Sequence, residues 1–256
     1  MMSDLFSLKG RVALVTGGTR GIGKMIARGF LEQGAKVYIS GRKAGPAEEA
    51  AQELSSFGSC EALAIDASGA TGAKTLAASY LAREKSLNIL VNNAGAAWGA
   101  EFGEFPESGW DKVMELNVKT PFFLTQALHG ALKASASAAQ PSKVINIASV
   151  DGISVNPQET YSYAASKSGL LHLTKRMAMR LIEDQIVVSA IAPGAFATDM
   201  NRTARDQADQ VSQRIPAHRI GKPEDMAGAA VYLASRAGDY VVGTALVVDG
   251  GVSWAH

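Results

Sequence analysis

The sequence has few of the features that mark secreted, membrane or nucleic-acid-binding proteins. Its one cysteine, Cys60, excludes an intramolecular disulfide, disfavours a metal cluster and suits a reducing compartment. The net charge is +1 and there is no basic run, which argues against nucleic acid as a partner. The longest apolar runs, such as 186–191, have the length of a strand and are too short to cross a bilayer. We therefore expect a cytoplasmic protein with no membrane span and no metal.

The start of the chain and its internal composition also lack signals. The first ten residues carry Asp4 and Lys9 and have no long apolar core, so they predict neither a signal peptide nor a membrane anchor. There is no internal repeat and no proline- or serine-rich linker, and the small polar segment 134–142 is typical of a surface loop. We expect one domain over residues 1–256.

Short β-branched runs alternate with longer helical patterns along the chain. Strands are predicted at 11–16, 36–40, 62–65, 88–91, 143–148, 186–191 and 245–248. Helices are predicted at 21–33, 46–57, 72–84, 109–135, 163–181 and 223–235. This alternation, with strands that are apolar on both sides, predicts a doubly wound α/β fold. Its seven-stranded parallel sheet should carry helices on both faces.

A glycine-rich turn follows the first predicted strand. The segment Gly-Gly-Thr-Arg-Gly-Ile-Gly at 17–23 lies between that strand and the first predicted helix. Glycines there allow a tight turn and let backbone amides approach phosphate oxygens at the helix N-terminus. The spacing of Gly17, Gly21 and Gly23 differs from the standard dinucleotide fingerprint, so the loop could be an ordinary strand-to-helix turn. Because strand, loop and helix come in the required order, we interpret it as a phosphate site.

The end of the second predicted strand distinguishes NADP from NAD. An NAD site places an acid there to hold the ribose 2′-hydroxyl, whereas an arginine suits a 2′-phosphate. The segment Ser-Gly-Arg-Lys at 40–43 contains no acid, and Arg20 adds a cation in the glycine loop. Guanidinium groups match phosphate geometry. We therefore expect NADP(H), although Arg42 could instead be a solvated loop charge.

Tyr163 and Lys167 are the candidate proton-transfer groups. They stand four residues apart on a predicted helix and therefore share one face. A free phenol has a pKa of about 10, and a neighbouring ammonium favours the phenolate and lowers that pKa. Ser149 follows the fifth predicted strand, where its hydroxyl could orient a carbonyl beside the phenol. The same Tyr-Lys spacing arises by chance on helices, so its weight depends on the rest of the chain.

These motifs together resemble the short-chain dehydrogenase/reductase family over essentially the whole chain. The matching positions are 16–23, Asp66, 92–95, Asn117, Ser149, Tyr163, Lys167, Pro193, Gly194 and Thr198. The resemblance implies a Rossmann-like fold and an NADP-dependent oxidoreductase that reversibly reduces a ketone to a secondary alcohol. The segment 92–99, the Ser-Ala run at Ser135 and the distance from Ser149 to Tyr163 are most similar to rhamnolipid-pathway 3-oxoacyl-[acyl-carrier-protein] reductases.

The resemblance also implies roles for individual residues. Tyr163 is the expected acid in reduction and base in oxidation, and Lys167 is expected to lower its pKa and hold the nicotinamide ribose. Ser149 should orient the substrate oxygen, and Asn117 should hold a water that links Lys167 to solvent. The expected cofactor-binding residues are Gly17, Thr19, Arg20, Gly21, Ile22, Gly23, Ser40, Arg42, Asp66, Ala67, Asn93, Ala94, Gly95, Tyr163, Lys167, Pro193, Gly194, Phe196 and Thr198. Residues 92–95 could instead form a plain turn, and Asn117 could bond only to backbone.

Three segments are expected to recognise the substrate, namely 96–105, 153–161 and a lid at about 196–215. Trp98 is either a flat apolar wall for the substrate or a surface packing residue. Tyr161 has no lysine four residues later and is expected to line the site. Asp151 either faces the cleft, where it binds a polar substrate or repels an anionic one, or caps its loop. Fourteen positions separate Ser149 from Tyr163, one more than is usual in the family, which places the extra residue in 153–160.

The expected substrate is a small carbonyl compound or alcohol, first of all a 3-oxoacyl thioester of acyl carrier protein or coenzyme A. A sugar or polyol dehydrogenase is the alternative that Asp151 and the polar segment 156–159 favour. A non-catalytic NADP(H) sensor is a third interpretation, against which the intact set of catalytic positions argues. Family members are usually dimers or tetramers, so the resemblance implies a homotetramer or dimer built on helices 109–135 and 163–181 and the last strand.

Overall fold

A seven-stranded sheet forms the centre of the computed structural model, which describes residues 4–255; the remaining residues of the expected domain, 1–3 and 256, lie outside it. The strands are β1 (Val12–Val15), β2 (Lys36–Gly41), β3 (Cys60–Ala64), β4 (Ile89–Asn92), β5 (Ser142–Ile147), β6 (Ile186–Pro193) and β7 (Ala245–Val248). Their order is β3-β2-β1-β4-β5-β6-β7, and every neighbouring pair is parallel. The expected single-domain, doubly wound, Rossmann-like α/β sheet is confirmed.

Helices cover both faces of this sheet. They are α1 (Gly21–Glu32), α2 (Ala44–Leu54), α3 (Gly69–Leu81), α4 (Glu107–Met114), α5 (Thr120–Ala127), α6 (His129–Ser135), α7 (Tyr161–Leu181), α8 (Arg202–Asp206), α9 (Ala208–Ser212) and α10 (Pro223–Ala234). Ala13 and Val15 of β1 pack in a core with α1, α2 and α10, whereas Leu14 packs in a second core with α3, α5, α6 and α7. Buried apolar side chains cover both faces of the sheet, which explains why the strands are apolar without alternation. Within residues 4–255, no helix has the length and apolarity to cross a membrane.

The predicted helical region 109–135 is present, but it is not one regular α-helix. The chain forms α4, a π-helical turn at Glu115–Lys119, then α5 and α6 with a break at Leu128. Thr120 Oγ1 donates to the Glu115 carbonyl at 3.0 Å, and Pro121 has no amide hydrogen to donate. Regular α-helical bonding therefore stops at this turn. The other predicted elements agree with the observed ones to within three residues at each end.

The sheet topology gathers the candidate site residues at one edge. The carboxyl ends of parallel strands lie together, so the segments that follow β1, β4, β5 and β6 meet there. The order of the strands reverses between β1 and β4, which opens a crevice at their carboxyl ends. The glycine loop borders this crevice on one side, and Ser149 follows β5 on the other.

Candidate active site

Ser149, Tyr163 and Lys167 meet at the carboxyl end of β5. Tyr163 and Lys167 lie one turn apart near the start of α7, and Lys167 Nζ is 5.5 Å from the centre of the Tyr163 ring. Ser149 follows β5, and its hydroxyl lies near enough to the Tyr163 phenol to lower the pKa of that phenol. The Lys167 ammonium is buried and donates to the Ile147 carbonyl at 2.7 Å. The structure therefore brings these three predicted catalytic side chains together.

The pKa values at this centre differ from what the Tyr-Lys spacing predicts. Burial raises the pKa of Tyr163 to about 12, the hydrogen bond with Ser149 lowers it, and the charge of Asp151 raises it. Burial lowers the pKa of Lys167 to about 8, and Asp151 acts in the opposite direction. Loss of hydration is therefore the largest influence on the pKa of both groups. The phenol keeps its proton at neutral pH, as an acid for reduction must.

Asp151 lies beside the catalytic centre and also holds its own loop. Its carboxylate accepts a 2.6 Å hydrogen bond from the Asn156 amide, and its backbone N–H donates to Ser149 Oγ at 3.1 Å. Its negative charge raises the pKa of both Tyr163 and Lys167. The carboxylate therefore caps the loop 153–160, as one of the two expectations has it, and its charge also acts on the centre.

Asn117 reaches the centre because it lies in the π-helical turn. Its Oδ1 accepts from the Ala96 N–H at 2.8 Å, and its Nδ2 donates at 2.9 Å to both the Ala96 carbonyl and the Ser166 hydroxyl. A Cβ added to Gly95 would lie 3.2 Å from Asn117 Oδ1 and 3.8 Å from Lys167 Nζ. The Asn117 amide and the Lys167 ammonium therefore both border the space beside Gly95.

The glycine loop forms a cradle that larger residues would fill. Gly17 and Gly21 have φ values of +63° and +54°, which glycine adopts without strain. A Cβ on Gly23 would overlap the Gly17 carbonyl oxygen, and a Cβ on Gly21 would lie 3.3 Å from Thr198 Cγ2. Helix α1 starts here with no capping side chain and no acid in its first turn. Its first amides, which include that of Ile22, therefore suit the phosphates of a dinucleotide.

Thr16 and Asn93 fix the backbone of this cradle. Asn93 Nδ2 donates to the carbonyls of Thr16 and Gly17 at 2.8 and 3.1 Å. Thr16 Oγ1 accepts the N–H groups of Asn93 and Ala94, each at 2.9 Å. The amide of Asn93 therefore holds the loop in place, with its own hydrogens directed at protein carbonyls.

The segment after β2 offers a cation and no acid. The Ser40 carbonyl accepts the Gly18 N–H at 3.2 Å, which joins the end of β2 to the glycine loop. A Cβ on Gly41 would lie 2.6 Å from Thr19 Cγ2, so these two segments pack closely. Arg42 follows them and is exposed. This arrangement fits the 2′-phosphate of NADP.

Asp66 and Ala67 lie across from Arg42, after β3. The Asp66 carboxylate accepts the Ser68 hydroxyl at 2.6 Å and the Ser68 N–H at 3.0 Å. These bonds lower the pKa of Asp66, and the charge of Arg42 lowers it further. Ala67 is buried in the core that includes Leu14 of β1, so its side chain is a packing residue.

The segment after β6 contains a buried side chain at Phe196. Pro193 ends β6, and the Gly194 N–H donates to the Val248 carbonyl at 2.9 Å. The Phe196 ring is buried in the core against Gly221, where a Cβ would overlap the ring. The Phe196 side chain is therefore a core residue, and only its backbone remains for a cofactor. Thr198 lies beside Gly21, as a residue that borders the cradle must.

Arg20 has a partner that the sequence did not predict. Its Nη1 lies 2.7 Å from Asp199 Oδ2, and Asp199 Oδ1 lies 2.8 Å from Arg205 Nη1. The pairs join the glycine loop to the segment 196–215, which contains α8 and α9. Exposed ion pairs of this kind are weak, so Arg20 can exchange Asp199 for a phosphate at low cost.

Trp98 and Tyr161 lie in the two loops beside the centre. A Cβ on Gly109 of α4 would lie 2.7 Å from the Trp98 ring, and Lys112 Nζ lies 5.4 Å from its centre. These contacts favour surface packing for Trp98. Tyr161 begins α7 at the surface, and its hydroxyl donates to the Glu159 carboxylate at 2.8 Å.

Sequence reasoning missed Ser166 and Asp199 as parts of this site. Ser166 Oγ accepts from Asn117 and donates to the Tyr163 carbonyl at 2.7 Å, so it joins the π-helical turn to α7. A small residue before Lys167 gives no signal of that role. Asp199 stands 179 positions from its partner Arg20, and no local pattern connects them.

Comparisons with known proteins agree with this geometry. Residues 17–253 match a family model described as enoyl-(acyl carrier protein) reductase. The chain is 47% identical over 255 residues to the rhamnolipids biosynthesis 3-oxoacyl-[acyl-carrier-protein] reductase of Pseudomonas aeruginosa, covering 98% of this chain and 99% of that one.

Two solved structures extend the comparison to three dimensions. The NADP active-site complex of Pseudomonas aeruginosa RhlG has a TM-score of 0.94 at 45% identity and covers 97% of this chain and 98% of that one. A Burkholderia cenocepacia gluconate 5-dehydrogenase in complex with NADP and tartrate has a TM-score of 0.90 at 33% identity, with 99% of both chains covered. The chain therefore belongs to the short-chain dehydrogenase/reductase family of oxidoreductases, as its motifs imply.

Proposed function

We propose that this protein is an NADPH-dependent reductase that converts a 3-oxoacyl thioester to the corresponding secondary alcohol. The placement of Ser149, Tyr163 and Lys167 together at the edge of a dinucleotide cradle is the observation that carries the proposal. The relative named as a 3-oxoacyl-[acyl-carrier-protein] reductase supports the thioester, and the NADP in both similar structures supports the cofactor. The proposed partner is a thioester of acyl carrier protein or coenzyme A.

The geometry fits an acid-assisted reduction. When bound, NADPH supplies the hydride, and the chain supplies position and a proton. Ser149 donates a hydrogen bond that orients the substrate carbonyl, and Tyr163 transfers its phenolic proton to the carbonyl oxygen as negative charge develops there. The Lys167 ammonium stabilises the resulting phenolate. The nearness of Asn117 to Lys167 across Gly95 supports a role for Asn117 in positioning the water that restores the proton.

The proposal is tested by the oxidation of NADPH and NADH in the presence of four carbonyl compounds. These are a 3-oxoacyl thioester, a simple diketone, a keto-sugar and a steroid ketone. The highest kcat/KM is expected for the thioester with NADPH. Turnover of the keto-sugar alone would contradict the thioester proposal, and tight NADPH binding without any turnover would favour a sensor.

A sugar-acid or polyol dehydrogenase is the second candidate. The similar Burkholderia cenocepacia structure is a gluconate 5-dehydrogenase, and the bonded pair of Asp151 and Asn156 offers polar groups beside the centre. The negative charge of Asp151 opposes a substrate carboxylate at the same place. This charge favours a neutral thioester over an anionic sugar acid.

We expect the rate of reduction to fall as pH rises through about 8. Because the pKa of buried Lys167 is lowered to about 8, its ammonium loses the proton over this range. Tyr163 stays protonated because its pKa is raised to about 12. Asp151→Asn should shift the fall to lower pH, since the Asp151 carboxylate raises the pKa of Lys167. The measurement is kcat/KM from about pH 6 to pH 10. A wild-type profile that stays level across that range contradicts the assignment.

We propose that residues 196–215 form a lid over the bound cofactor. Two short helices, α8 and α9, make up much of this segment, and Asp199 tethers it to the glycine loop. Bound NADP(H) is expected to slow trypsin cleavage after Arg202, Arg205 and Arg214. An equal cleavage rate with and without the cofactor would argue against a lid.

A homotetramer is proposed, with a dimer as the smaller alternative. Exposed Trp110, Phe122 and Met179 lie on α4, α5 and α7, and exposed Tyr240 and Trp254 flank the edge strand β7. These two apolar surfaces fit two symmetric interfaces. Light scattering should give the mass of a tetramer, and Met179→Asp or Tyr240→Asp should each halve it. If neither substitution changes the mass, the surfaces are not interfaces.

We also propose a cytoplasmic location, which the single cysteine supports. Cell fractionation is the test, and recovery of the protein outside the cytosolic fraction would contradict it.

A further inference from the structure

An exposed aromatic cluster lies beside the catalytic centre, and the reduction step does not use it. We call the rings of Phe102, Phe105 and Tyr161 the aromatic shelf. Tyr161 lies edge-to-face with Phe102 and Phe105, with ring centres 5.6 and 5.8 Å apart. Phe105 in turn lies 6.4 Å from Trp110 of α4. Phe102 is 79% exposed and Tyr161 37%, so the shelf presents a broad apolar surface to solvent.

The shelf is built by two loops that border the active site. One loop follows β4 and carries Phe102 and Phe105, and the other follows β5 and leads into Tyr161. The Ala100 N–H donates to the Glu159 carbonyl at 3.2 Å and ties these loops together. Tyr161 lies in the same first turn of α7 as Tyr163. Side chains two positions apart on a helix point in different directions, so Tyr161 forms a rim to the centre and does not compete as the acid.

The chemistry of the shelf is apolar. The Tyr161 hydroxyl is already bonded to the Glu159 carboxylate, so its ring edges and faces are what remains for a ligand. The other apolar candidate, Trp98, packs against Gly109 and lies beside Lys112 of its own chain. Aromatic surface of this kind is stabilised when an apolar group covers it. The shelf is therefore an apolar surface that begins in the same helical turn as Tyr163.

We propose that the aromatic shelf binds the alkyl chain of the substrate and makes the enzyme favour long 3-oxoacyl chains. This inference rests on the proposed function and specifies the substrate of the same site. A 3-oxoacyl thioester carries two arms on its reacting carbonyl, of which one is a polar thioester and the other an alkyl chain. With the reacting carbonyl at Tyr163, the apolar shelf is the surface that suits the apolar alkyl chain. The chain then lies over the two loops that the bond between Ala100 and Glu159 joins.

The test compares 3-oxobutanoyl, 3-oxohexanoyl and 3-oxodecanoyl thioesters with NADPH. Full burial of one methylene raises kcat/KM by about fourfold. A chain that is covered on one side only is expected to gain about twofold for each methylene. From the shortest to the longest substrate, kcat/KM is therefore expected to rise by tens-fold. Phe102→Ala and Tyr161→Ala should each lower the ratio of the longest to the shortest substrate by about fivefold. Phe57→Ala is the matched control, because Phe57 is also 37% exposed and stacks on Arg28 away from the site. The control should retain the wild-type ratio.

Three results would overturn the inference. A level wild-type series shows that the chain is not bound, and an unchanged ratio in both variants shows that the shelf does not bind it. A change of mass in light scattering, with the ratio unchanged, shows that a second copy of the chain covers the shelf. If no thioester is reduced, the proposed function fails separately, and methyl ketones of increasing length then test the shelf by the same ratio.

Discussion

Tyr163→Phe is expected to lower kcat by about three orders of magnitude while NADPH binds nearly as well as to the wild type. The substitution removes the one proton that the phenol can give and leaves the ring in place. Lys167 Nζ keeps its bond to the Ile147 carbonyl, so the remaining site should hold its shape. Single-turnover kinetics and a fluorescence titration with NADPH measure the two quantities separately. A loss confined to kcat identifies the phenol as the acid.

The matched control for this experiment is Tyr232→Phe. Tyr232 lies on α10 and packs against the core on the opposite side of the sheet from α7, so removal of its hydroxyl should leave kcat unchanged. If Tyr163→Phe retained most of the wild-type turnover, the acid would have to be another group. If the wild type had no turnover to lose, the sensor interpretation would gain support.

Arg42→Ala is expected to weaken NADPH binding by about 10- to 100-fold and to leave NADH binding almost unchanged, because a charge-assisted bond to the 2′-phosphate is lost. The end of β2 has no acid that could favour the ribose hydroxyl of NADH instead. Arg20→Ala should also weaken NADPH binding, but to a smaller extent, because wild-type Arg20 must first break its ion pair with Asp199. Titration gives the dissociation constants of both cofactors, and the ratio of the NADPH constant to the NADH constant tests the prediction.

Arg28→Ala provides the control for a change in surface charge. Arg28 is an exposed arginine of α1 whose Nε lies 2.8 Å from Glu32 Oε1, four positions away. Arg28→Ala removes one positive charge, as Arg42→Ala does, but it removes no cation from the segment that follows β2. Equal weakening of NADPH and NADH by Arg42→Ala would exclude a specific contact with the 2′-phosphate.

The parts of the site that could be predicted are those that strand ends and helix spacing determine. Tyr163 and Lys167 stand one turn apart on α7, and Ser149 follows a buried strand, so local order alone places them together. The glycine loop could also be predicted from the sequence, because the strand, the turn and the helix are consecutive in the chain. Both inferences needed only the periodicity of the chain and the geometry of a parallel sheet.

The parts that could not be predicted depend on contacts between distant residues. The pKa of Tyr163 is dominated by burial, which no spacing reveals. The Arg20–Asp199 pair joins segments that only the folded chain brings together. Phe196 is expected to bind the cofactor, and only the fold shows that its ring packs beside Gly221 and leaves its backbone for that role. Asn117 lies in a π-helical turn that is followed by Thr120 and Pro121, and helical periodicity did not reveal that turn.

The bonds between Thr16 and Asn93 have a consequence for how the protein is made. They join residues 77 positions apart, and they close only when β4 pairs beside β1. During synthesis, the glycine loop therefore leaves the ribosome long before the residues that hold it in shape. Closing so long a segment has an entropic cost that the cofactor cannot offset at that stage, since its binding surface does not yet exist. NADP(H) can stabilise the finished molecule but cannot act as a template for the first half of its sheet.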